Sequence, residues 1–358
     1  MTVEAMLTLL RELVELESPT GSPGVRAVAD VLARELAVLG ADVRILEGDH
    51  LRADLPGAEP PLLLLGHADT VWPVGTLASM PFRLDDGRAY GPGAFDMKAG
   101  LVIMLAALDQ ARRTRGVRVF VTADEEIGSP TARPLLEQAV SGVAAALVLE
   151  PPTSAGHLKT ARKGLGRFHL RVRGRAAHAS GEFGAGANAI EEIARQIVEL
   201  SALTDRDRGV SVNVGVVAGG TRENVVAAEA EALIDVRVPS LAERERIDDV
   251  LRSVRPKTAG TELELSGQWT RPPLERSSGS ARLFAKAHEH GLALGLDLQQ
   301  ASSPGGSDGN LVGALGVPVL DGLGALGRGA HAADEHVVVE SLPVRARLLA
   351  ELLRDPGV

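Results

Sequence analysis

The chain has 358 residues, 45% of them hydrophobic and 24% charged, an ordinary globular balance at a length that favours two domains. Its net charge is −9 and no basic stripe stands out, so nucleic-acid binding is not expected. The chain contains no cysteine, which excludes disulfides and thiolate metal sites and leaves histidine nitrogens and carboxylate oxygens as the metal ligands.

No targeting signal is expected at the N-terminus, because residues 1–6 lack the basic start and apolar core of a cleavable leader. Apolar residues recur at helical spacing over residues 3–16, and a second helix over 24–39 and a strand over 42–46 follow. No apolar run approaches the roughly 18 residues of a membrane span. We therefore expect a soluble cytoplasmic protein without membrane contacts.

The next elements alternate between strand and helix. Residues 62–65 are consecutive leucines, typical of a strand buried on both faces, and they end at Gly66-His67. A loop rich in glycine and proline leads to Asp96, and an amphipathic helix is predicted over 98–113. Strands over 117–121 and 146–149 follow. This alternation predicts an α/β catalytic domain with a mostly parallel central sheet flanked by helices.

Residues 163–270 follow a different pattern, β-α-β-β-α-β, which predicts an inserted ferredoxin-like domain of the split βαβ type. The catalytic domain is then discontinuous, over 1–162 and 271–358, with further helices over 278–292 and 341–354. The predicted strands of the insert are 166–172, 210–217, 229–238 and 262–266, and its helices lie near 186–203 and 240–255.

Histidine and acidic residues stand at or shortly after the ends of the predicted catalytic strands, where open α/β sheets bind their ligands. A hydrolytic site with two metal ions about 3.5–4 Å apart needs roughly five protein ligands. Five candidates are available: His67, Asp96, Glu126, Glu150 and His331.

Two further acids lie beside these five candidates. Asp69, two residues from His67, is placed to orient its imidazole. Glu125 is placed to deprotonate a metal-bound water and later to protonate the leaving amine. Adjacent strand residues point to opposite sides, so Glu125 and Glu126 are expected to have different tasks.

Three segments, Leu65–Val71, Tyr90–Gly100 and Thr122–Ser129, resemble motifs of the glutamate carboxypeptidase / acetylornithine deacetylase family of dinuclear zinc metallopeptidases. The resemblance runs nearly end to end, and the stretch from His67 to Lys98 is most similar to the carboxypeptidase G branch. It implies two zinc ions bridged by one aspartate, with cobalt or manganese also suited, and a cis peptide bond after that aspartate.

The family roles implied for individual residues follow the matched motifs. The bridging aspartate is Asp96, and Glu125 is the general base. His67 and Glu150 complete one ion, and Glu126 and His331 complete the other. Asp69 orients the imidazole of His67.

The insert resembles the family's lid, which also dimerises. Arg175–Ser180 matches the motif whose histidine, His178, reaches the partner subunit's active site and holds the oxyanion. Asn224 and Arg237 match residues that bind the substrate's carboxylate, and Ser302–Gly309 resembles a glycine-rich pocket loop containing Gly305, Gly306 and Ser307. Ser180 and Ala227 depart from the family pattern of glycine and proline at these positions. A homodimer through the lid is implied.

The sequence thus predicts zinc-dependent hydrolysis of an amide or peptide bond. A metal-bound hydroxide would attack, with Glu125 as general base, and a C-terminal amino acid, glutamate or similar, would be released. The alternative is an N-acyl amino acid deacylase resembling acetylornithine deacetylase. Small peptides or N-acyl amino acids are the expected substrates.

Two hypotheses from other classes remain open. Gly305–Gly309 fits Gly-x-Ser-x-Gly, and Ser307, Asp321 and His331 follow the chain order of a serine-hydrolase triad. That triad would leave the other acidic clusters without a role. A non-catalytic binding protein on this fold would require loss of a ligand or of the base, and all of them are present.

Overall fold

The computed structural model describes residues 1–111, 115–181 and 183–358. Of Phe183 it describes the backbone alone. The described chain divides into two compact units. The first unit comprises Met1–Ala161, Glu275–Ser303 and Ser307–Val358, and the second comprises Arg162–Leu274 and Pro304–Gly306. The assignment of residues 163–270 as a lid and dimerisation domain stays a prediction.

The helices and strands are numbered in chain order. Before the second unit they are α1 (Val3–Glu15), α2 (Pro23–Val38), β1 (Asp42–Ile45), β2 (Leu51–Leu55), β3 (Ala58–His67), β4 (Arg83–Asp85), β5 (Arg88–Tyr90), α3 (Ala99–Gln110), β6 (Arg115–Thr122), α4 (Ala132–Ala139), β7 (Ala145–Val148) and β8 (Leu158–Arg162). The second unit contains β9 (Gly164–Arg173), α5 (Ala189–Ser201), β10 (Ser211–Gly219), β11 (Glu229–Val238), α6 (Leu241–Ser253) and β12 (Glu262–Arg271). The remaining elements are α7 (Ser278–Ala293), β13 (Gln300–Ser303), α8 (Asp308–Ala314), β14 (Val319–Leu320), β15 (Gly327–Arg328), β16 (His336–Val338) and α9 (Ser341–Arg354). Within the described ranges, no helix combines the length and apolarity that crossing a membrane requires.

The main sheet of the first unit has six strands in the order β1-β2-β6-β3-β7-β14. Strands β6, β3, β7 and β14 are parallel, whereas β2 and β1 are added antiparallel at one side. Leu64 pairs with Val119 on one side and Leu147 on the other, and all three are buried. The predicted mostly parallel α/β sheet is confirmed, and its apolar strands follow from burial on both faces.

Helix α3 corrects one sequence expectation. It was predicted to be amphipathic, but every residue from Ala99 to Leu108 is buried. It packs against α1 and α9, so it has no solvent-facing side and needs no polar stripe. The described helix ends at Gln110, and residues 112 and 113 of the predicted helix lie outside the described residues.

The parallel strands carry the candidate residues to one edge of the sheet. Strand β3 ends at His67, β6 ends three residues before Glu125, and β7 ends two residues before Glu150. A second small sheet, in the order β15-β16-β5-β4, presents the loop between β15 and β16, which contains His331. The fold therefore places the predicted ligands on loops at the carboxyl end of the main sheet.

The second unit is a four-stranded sheet in the order β10-β11-β9-β12, antiparallel throughout. Helices α5 and α6 pack on one face, where Leu170 and Ile234 of the sheet and Ile247 of α6 are buried. This order with a β-α-β-β-α-β chain is the ferredoxin-like arrangement, so the predicted fold of the insert is confirmed. The opposite face of the sheet carries polar and charged side chains.

Candidate metal centre

Asp96 lies between two histidines. Its Oδ1 is 3.3 Å from Nε2 of His67, and its Oδ2 is 3.4 Å from Nε2 of His331. Gly93, in the turn before it, has a φ of 71°, which favours glycine. The Asp96–Met97 peptide bond is cis, as the family resemblance implies. Each carboxylate oxygen of Asp96 therefore faces a different imidazole.

The remaining predicted ligands complete this arrangement. Nε2 of His331 is 3.4 Å from Oε2 of Glu126, and Nε2 of His67 is 3.6 Å from Oε1 of Glu150. Two groups place their ligand atoms within 4.8 Å of one another: His67 with Glu125 and Glu150, and His67 with Asp96 and Glu126. The structure brings all five predicted ligands and Glu125 together.

The Glu125–Glu126 pair does not lie on a strand. Strand β6 ends at Thr122, and Glu125–Ile127 form a single 3₁₀ turn, so the expectation that strand alternation separates the two side chains is wrong. The turn nevertheless directs them to different groups, Glu125 beside His67 and Glu150, and Glu126 beside Asp96. Which of the two is a ligand and which a base stays a prediction.

Asp69 holds that turn. Its buried carboxylate accepts hydrogen bonds from the backbone N–H groups of Glu125 and Glu126, both at 3.1 Å, and from the hydroxyl of Thr20 at 2.7 Å. Nδ1 of His67 is 2.9 Å from the backbone carbonyl oxygen of Asp69 and 3.4 Å from its Oδ1. Asp69 thus contacts the imidazole mainly through its backbone, while its side chain fixes the turn.

The electrostatics of the cluster favour positive charge. Burial opposes protonation of His67, but hydrogen bonds to Asp69 and Asp96 outweigh it and raise the pKa of His67 well above its usual value. Hydrogen bonds to Asp96 and Glu126 raise the pKa of His331 to about 10. Burial raises the pKa of Asp96, but both imidazoles outweigh that effect and hold it below its usual range. Protons or metal cations can meet this demand for positive charge.

Sequence reasoning missed two acids that support the site. The buried carboxylate of Glu335 accepts hydrogen bonds from the backbone of the turn that carries Asp96. The buried carboxylate of Asp308 accepts from the hydroxyls of Thr122 and Ser129, which flank the Glu125–Glu126 turn. Both acids lie in loop or helix-start sequences that resemble solvated surface. Only their nearness in sequence to His331 and to Ser307 could have drawn attention to them.

The predicted lid residues all lie in the second unit. His178 and Asn224 are exposed neighbours, because their segments pair through an N–H of Ala179 that donates to the carbonyl oxygen of Asn224 at 3.1 Å. At the other end of β11, the guanidinium of Arg237 donates to Asp235 and, at 2.9 Å, to the carbonyl oxygen of Pro304. The two sets of candidate substrate contacts therefore lie at opposite ends of one sheet.

The glycine-rich loop is held by its carbonyl groups. Arg162 donates to the carbonyl oxygens of Gly305 at 3.2 Å and Gly306 at 3.0 Å. Gly306 packs against Leu165 and Arg271, and a Cβ there would lie 2.9 Å from Leu165. A side chain at this position would therefore require the end of the Leu165 side chain to shift.

Ser307 does not have the surroundings of a nucleophile. A strand and a helix do flank it, but its side chain is fully buried and caps α8 by accepting from the N–H of Gly309 at 3.1 Å. Its hydroxyl donates to Asp321 at 2.7 Å, whereas His331 faces Asp96 and Glu126. This geometry argues against the serine-hydrolase alternative and against a substrate contact through the Ser307 side chain.

Comparison with known proteins adds independent information. The profile of Peptidase family M20/M25/M40 matches residues 63–355. Carboxypeptidase G2 from Pseudomonas sp. (strain RS-16) is 29% identical over 99% of this chain and 89% of its own length. A succinyl-diaminopimelate desuccinylase from Gluconacetobacter diazotrophicus is 32% identical over 97% of this chain and 96% of its own length.

Solved structures share the fold. A tripeptidase from Staphylococcus aureus superposes with a TM-score of 0.85 at 23% identity, covering 99% of both chains. The YXEP protein of Bacillus subtilis, described as a dinuclear metal binding peptidase, gives a TM-score of 0.73 at 18% identity, covering 98% of this chain and 97% of its own. At these identities the likeness establishes the common architecture.

Proposed function

The chain belongs to peptidase family M20/M25/M40, and from that premise we propose that it is a dinuclear zinc carboxypeptidase. It would hydrolyse the amide bond before a C-terminal amino acid, glutamate or a similar residue. One observation carries this proposal: the two oxygens of Asp96 face His67 and His331 separately, at 3.3 and 3.4 Å, which is the arrangement of a shared bridging ligand.

The donor set fits divalent metal ions. Oε1 of Glu126 is buried and has no hydrogen-bond partner among the described residues, which is costly for a carboxylate unless a cation meets it. Imidazole and carboxylate without thiolate suit zinc, and also cobalt or manganese. The residues that would hold the ions are His67 and Glu150 for one, Glu126 and His331 for the other, and Asp96 for both.

Glu125 would move the proton during hydrolysis. When bound, the ions polarise the scissile carbonyl and lower the pKa of the attacking water. Glu125 lies beside His67 and Glu150, takes the proton from that water and returns it to the leaving amine. Asp69 fixes the turn through the Glu125 and Glu126 N–H groups, so that the base is held in position before the substrate arrives.

Recognition of the leaving amino acid would fall to the second unit. Arg237 presents a guanidinium beside the Pro304–Gly306 loop, and a guanidinium pairs with a carboxylate through two parallel hydrogen bonds. Gly305 and Gly306 have no side chains, so any contact that they make with the substrate would come from the backbone, whose carbonyl groups accept from Arg162. Asn224 and His178 would bind the carboxylate and the oxyanion.

The position of these residues supports a homodimer. At about 3.3 Å per residue, β11 from Glu229 to Arg237 spans roughly 26 Å, whereas an extended dipeptide spans about 7 Å. His178 and Asn224 lie at the Glu229 end, so one small substrate cannot touch both them and Arg237 of the same second unit. A partner subunit would supply the His178–Asn224 pair.

The second unit also offers a surface for that partner. Strand β10 ends the sheet order, and Val216 and Val217 on it are 54% and 58% exposed. Val198 on α5 is 71% exposed. An apolar edge strand with unpaired backbone groups is a template for pairing with another copy.

Val217→Lys should give a monomer by light scattering that keeps its metals and loses activity. A fully active monomer would contradict the role of His178 in the partner's site.

An N-acyl amino acid deacylase is the alternative. A desuccinylase is among the relatives, and the same metal centre and carboxylate contacts would serve an acyl group in place of a peptide. The two functions differ on the acyl side of the scissile bond, whereas Arg237 would serve both.

A substrate panel tests the proposal. The zinc-loaded protein would be given a peptide ending in glutamate, the same peptide amidated at its C-terminus, N-succinyl and N-acetyl amino acids, and a pteroyl-glutamate. We expect hydrolysis of the free-carboxylate peptide or the pteroyl-glutamate above the amidated control, and inactivity of Glu125→Gln throughout. Preference for the N-acyl amino acids would establish the alternative. No hydrolysis by protein with two bound metals would contradict both.

A further inference from the structure

Glu335 is a fully buried carboxylate that the proposed mechanism does not use. Its Oε1 accepts from the backbone N–H groups of Phe95 and Asp96, both at 2.9 Å. Its Oε2 accepts from the N–H of Gly93 at 2.9 Å and from the indole Nε1 of Trp72 at 2.7 Å. Four donors thus converge on one side chain, three of them from the turn that carries Asp96.

The backbone around Glu335 is tied to the same turn and to the His331 loop. Its carbonyl oxygen accepts from the N–H of Gly91 at 3.2 Å, and its own N–H donates to Ala332 at 3.0 Å. His331, four residues earlier, has a φ of 62°, an uncommon conformation for a residue with a side chain. The loop is tight, since a Cβ at Gly329 would lie 2.8 Å from the backbone nitrogen of Glu335.

We infer that Glu335 is a positioning residue that sets Asp96 relative to His331 and so fixes the spacing of the two halves of the metal centre. The inference rests on the proposed dinuclear site. Glu335 belongs to the loop that carries His331. Its carboxylate accepts hydrogen bonds from the turn that carries Asp96 and from the indole of Trp72, which is five residues after His67. One side chain therefore links three segments that carry ligands.

Burial and backbone hydrogen bonds alone do not imply such a role, as Glu192 in the second unit shows. Glu192 is also fully buried, and it accepts from the N–H groups of Lys257 at 2.9 Å and Thr258 at 2.6 Å and from Gln196 at 2.7 Å. Its donors carry none of the candidate ligands. Glu192 is therefore a matched control with the same kind of hydrogen bonding.

Glu335→Gln removes the second acceptor oxygen and turns an amide NH₂ toward N–H donors. Asp96 is expected to move, and the two ions should respond unequally. The ion held by His67 and Glu150 also has Glu125 nearby, whereas the other ion has Glu126 and His331 beside the displaced Asp96. Loss of a supporting hydrogen-bond partner typically lowers metal affinity roughly 10- to 100-fold, and that loss should fall mainly on one of the two ions.

The experiment is a calorimetric titration of metal-free protein with cobalt, together with the visible absorption spectrum, for wild type, Glu335→Gln and Glu192→Gln. We expect two ions in the wild type, about tenfold or greater weakening of one ion with a changed spectrum in Glu335→Gln, and wild-type binding in Glu192→Gln despite a lower Tm.

Wild-type affinities and spectrum in Glu335→Gln, with a Tm loss like that of Glu192→Gln, would overturn the inference. If Glu335→Gln does not fold, Glu335→Asp serves in its place, because it keeps the charge but is too short to reach both pairs of donors. Affinities equal to those of the wild type for both ions in Glu335→Asp would also overturn the inference. Fewer than two ions in the wild type would instead reject the dinuclear site itself, and the inference with it.

Discussion

In the second unit, the basic residues of strand β9 stand between acids on both neighbouring strands, whereas in the first unit acids converge on two imidazoles. Arg171 is opposite Glu231 on β11 and Glu264 on β12, and Arg173 is flanked in the same way. The open face of that sheet is thus balanced by its own side chains. The first unit gathers its acids around the imidazoles of His67 and His331.

The difference separates a charge pattern that supports a fold from one that supports chemistry. Exposed cross-strand pairs keep a sheet face solvated and contribute little energy individually. Converging carboxylates repel one another and persist where cations compensate them. Substitutions in these two charge patterns should therefore differ in kind, altering metal binding and turnover in the cluster of the first unit and only stability on the β9 face of the second.

The largest effect is expected at Glu125. Glu125→Gln should lower kcat by about 10²–10⁴-fold, because the proton-transfer group is lost while two metals remain bound. Turnover kinetics and metal content by mass spectrometry measure the two quantities. The matched variant Glu126→Gln, on the same turn, should instead lose metal. Equal metal loss in both variants would contradict the division of roles between the two neighbours.

Asp69 comes next. Asp69→Asn keeps the shape of the side chain but places an NH₂ group against the N–H of Glu125 or Glu126, which disturbs the turn. Metal affinity should fall roughly 10- to 100-fold, as measured by calorimetric titration. Thr20→Val, which removes only the hydroxyl donor to Asp69, should have a smaller effect. Unchanged affinity in Asp69→Asn would show that the turn holds itself.

Glu192 tests the second unit and predicts a pH dependence. Burial raises the pKa of Glu192, but hydrogen bonds from Gln196 and the N–H groups of Lys257 and Thr258 outweigh it and lower the pKa below its ordinary 4.5. Its stabilisation is therefore fully present above pH 4.5 and is lost as pH falls through the folded value.

Glu192→Gln should destabilise the protein by about 1–3 kcal/mol at pH 7, because backbone donors lose an acceptor. The difference from wild type in thermal unfolding should shrink as pH falls below 4.5. Metal content should not change. A difference that grows toward acid pH would contradict a lowered pKa of Glu192 in the folded protein.

The smallest effect is expected in the charge pattern on β9. Arg171→Ala removes one exposed member and should cost less than about 1 kcal/mol, with the cost decreasing at high salt. Thermal unfolding at two salt concentrations measures it, and Arg44→Ala, in an exposed pair on β1, is the control. A cost above about 2 kcal/mol would mean that this face is more than a balanced surface.

Much of the fold was readable from the sequence because apolar periodicity reports burial directly. The leucines of β3 predicted a strand buried on both faces, and residues 229–238 were predicted as a strand of the insert; both are confirmed. The small sheet of β4, β5, β15 and β16 was missed, because strands of two or three residues carry no period. Helix α3 was misjudged, because burial on all sides removes the polar face that amphipathic patterning requires.

The convergence of the candidate ligands was predictable from the sequence, whereas the acids that support their positions were not. Residue types that bind metals at the ends of strands identified His67 and Asp96, and the structure brings them together. The supporting acids Glu335 and Asp308 were invisible, because their partners are backbone N–H groups and hydroxyls distant in sequence. A sequence does not show which loop carboxylate becomes buried against another loop.

The central claim is that two divalent cations compensate the carboxylates of the first unit. Its most direct test is the metal content per chain of zinc-loaded, dialysed protein by mass spectrometry, with the same measurement on His331→Ala. We expect two ions in the wild type and about one in the variant, with activity lost in chelator and restored by zinc. A wild-type protein that hydrolyses its substrate with no bound metal, or that keeps both ions after loss of His331, would contradict it.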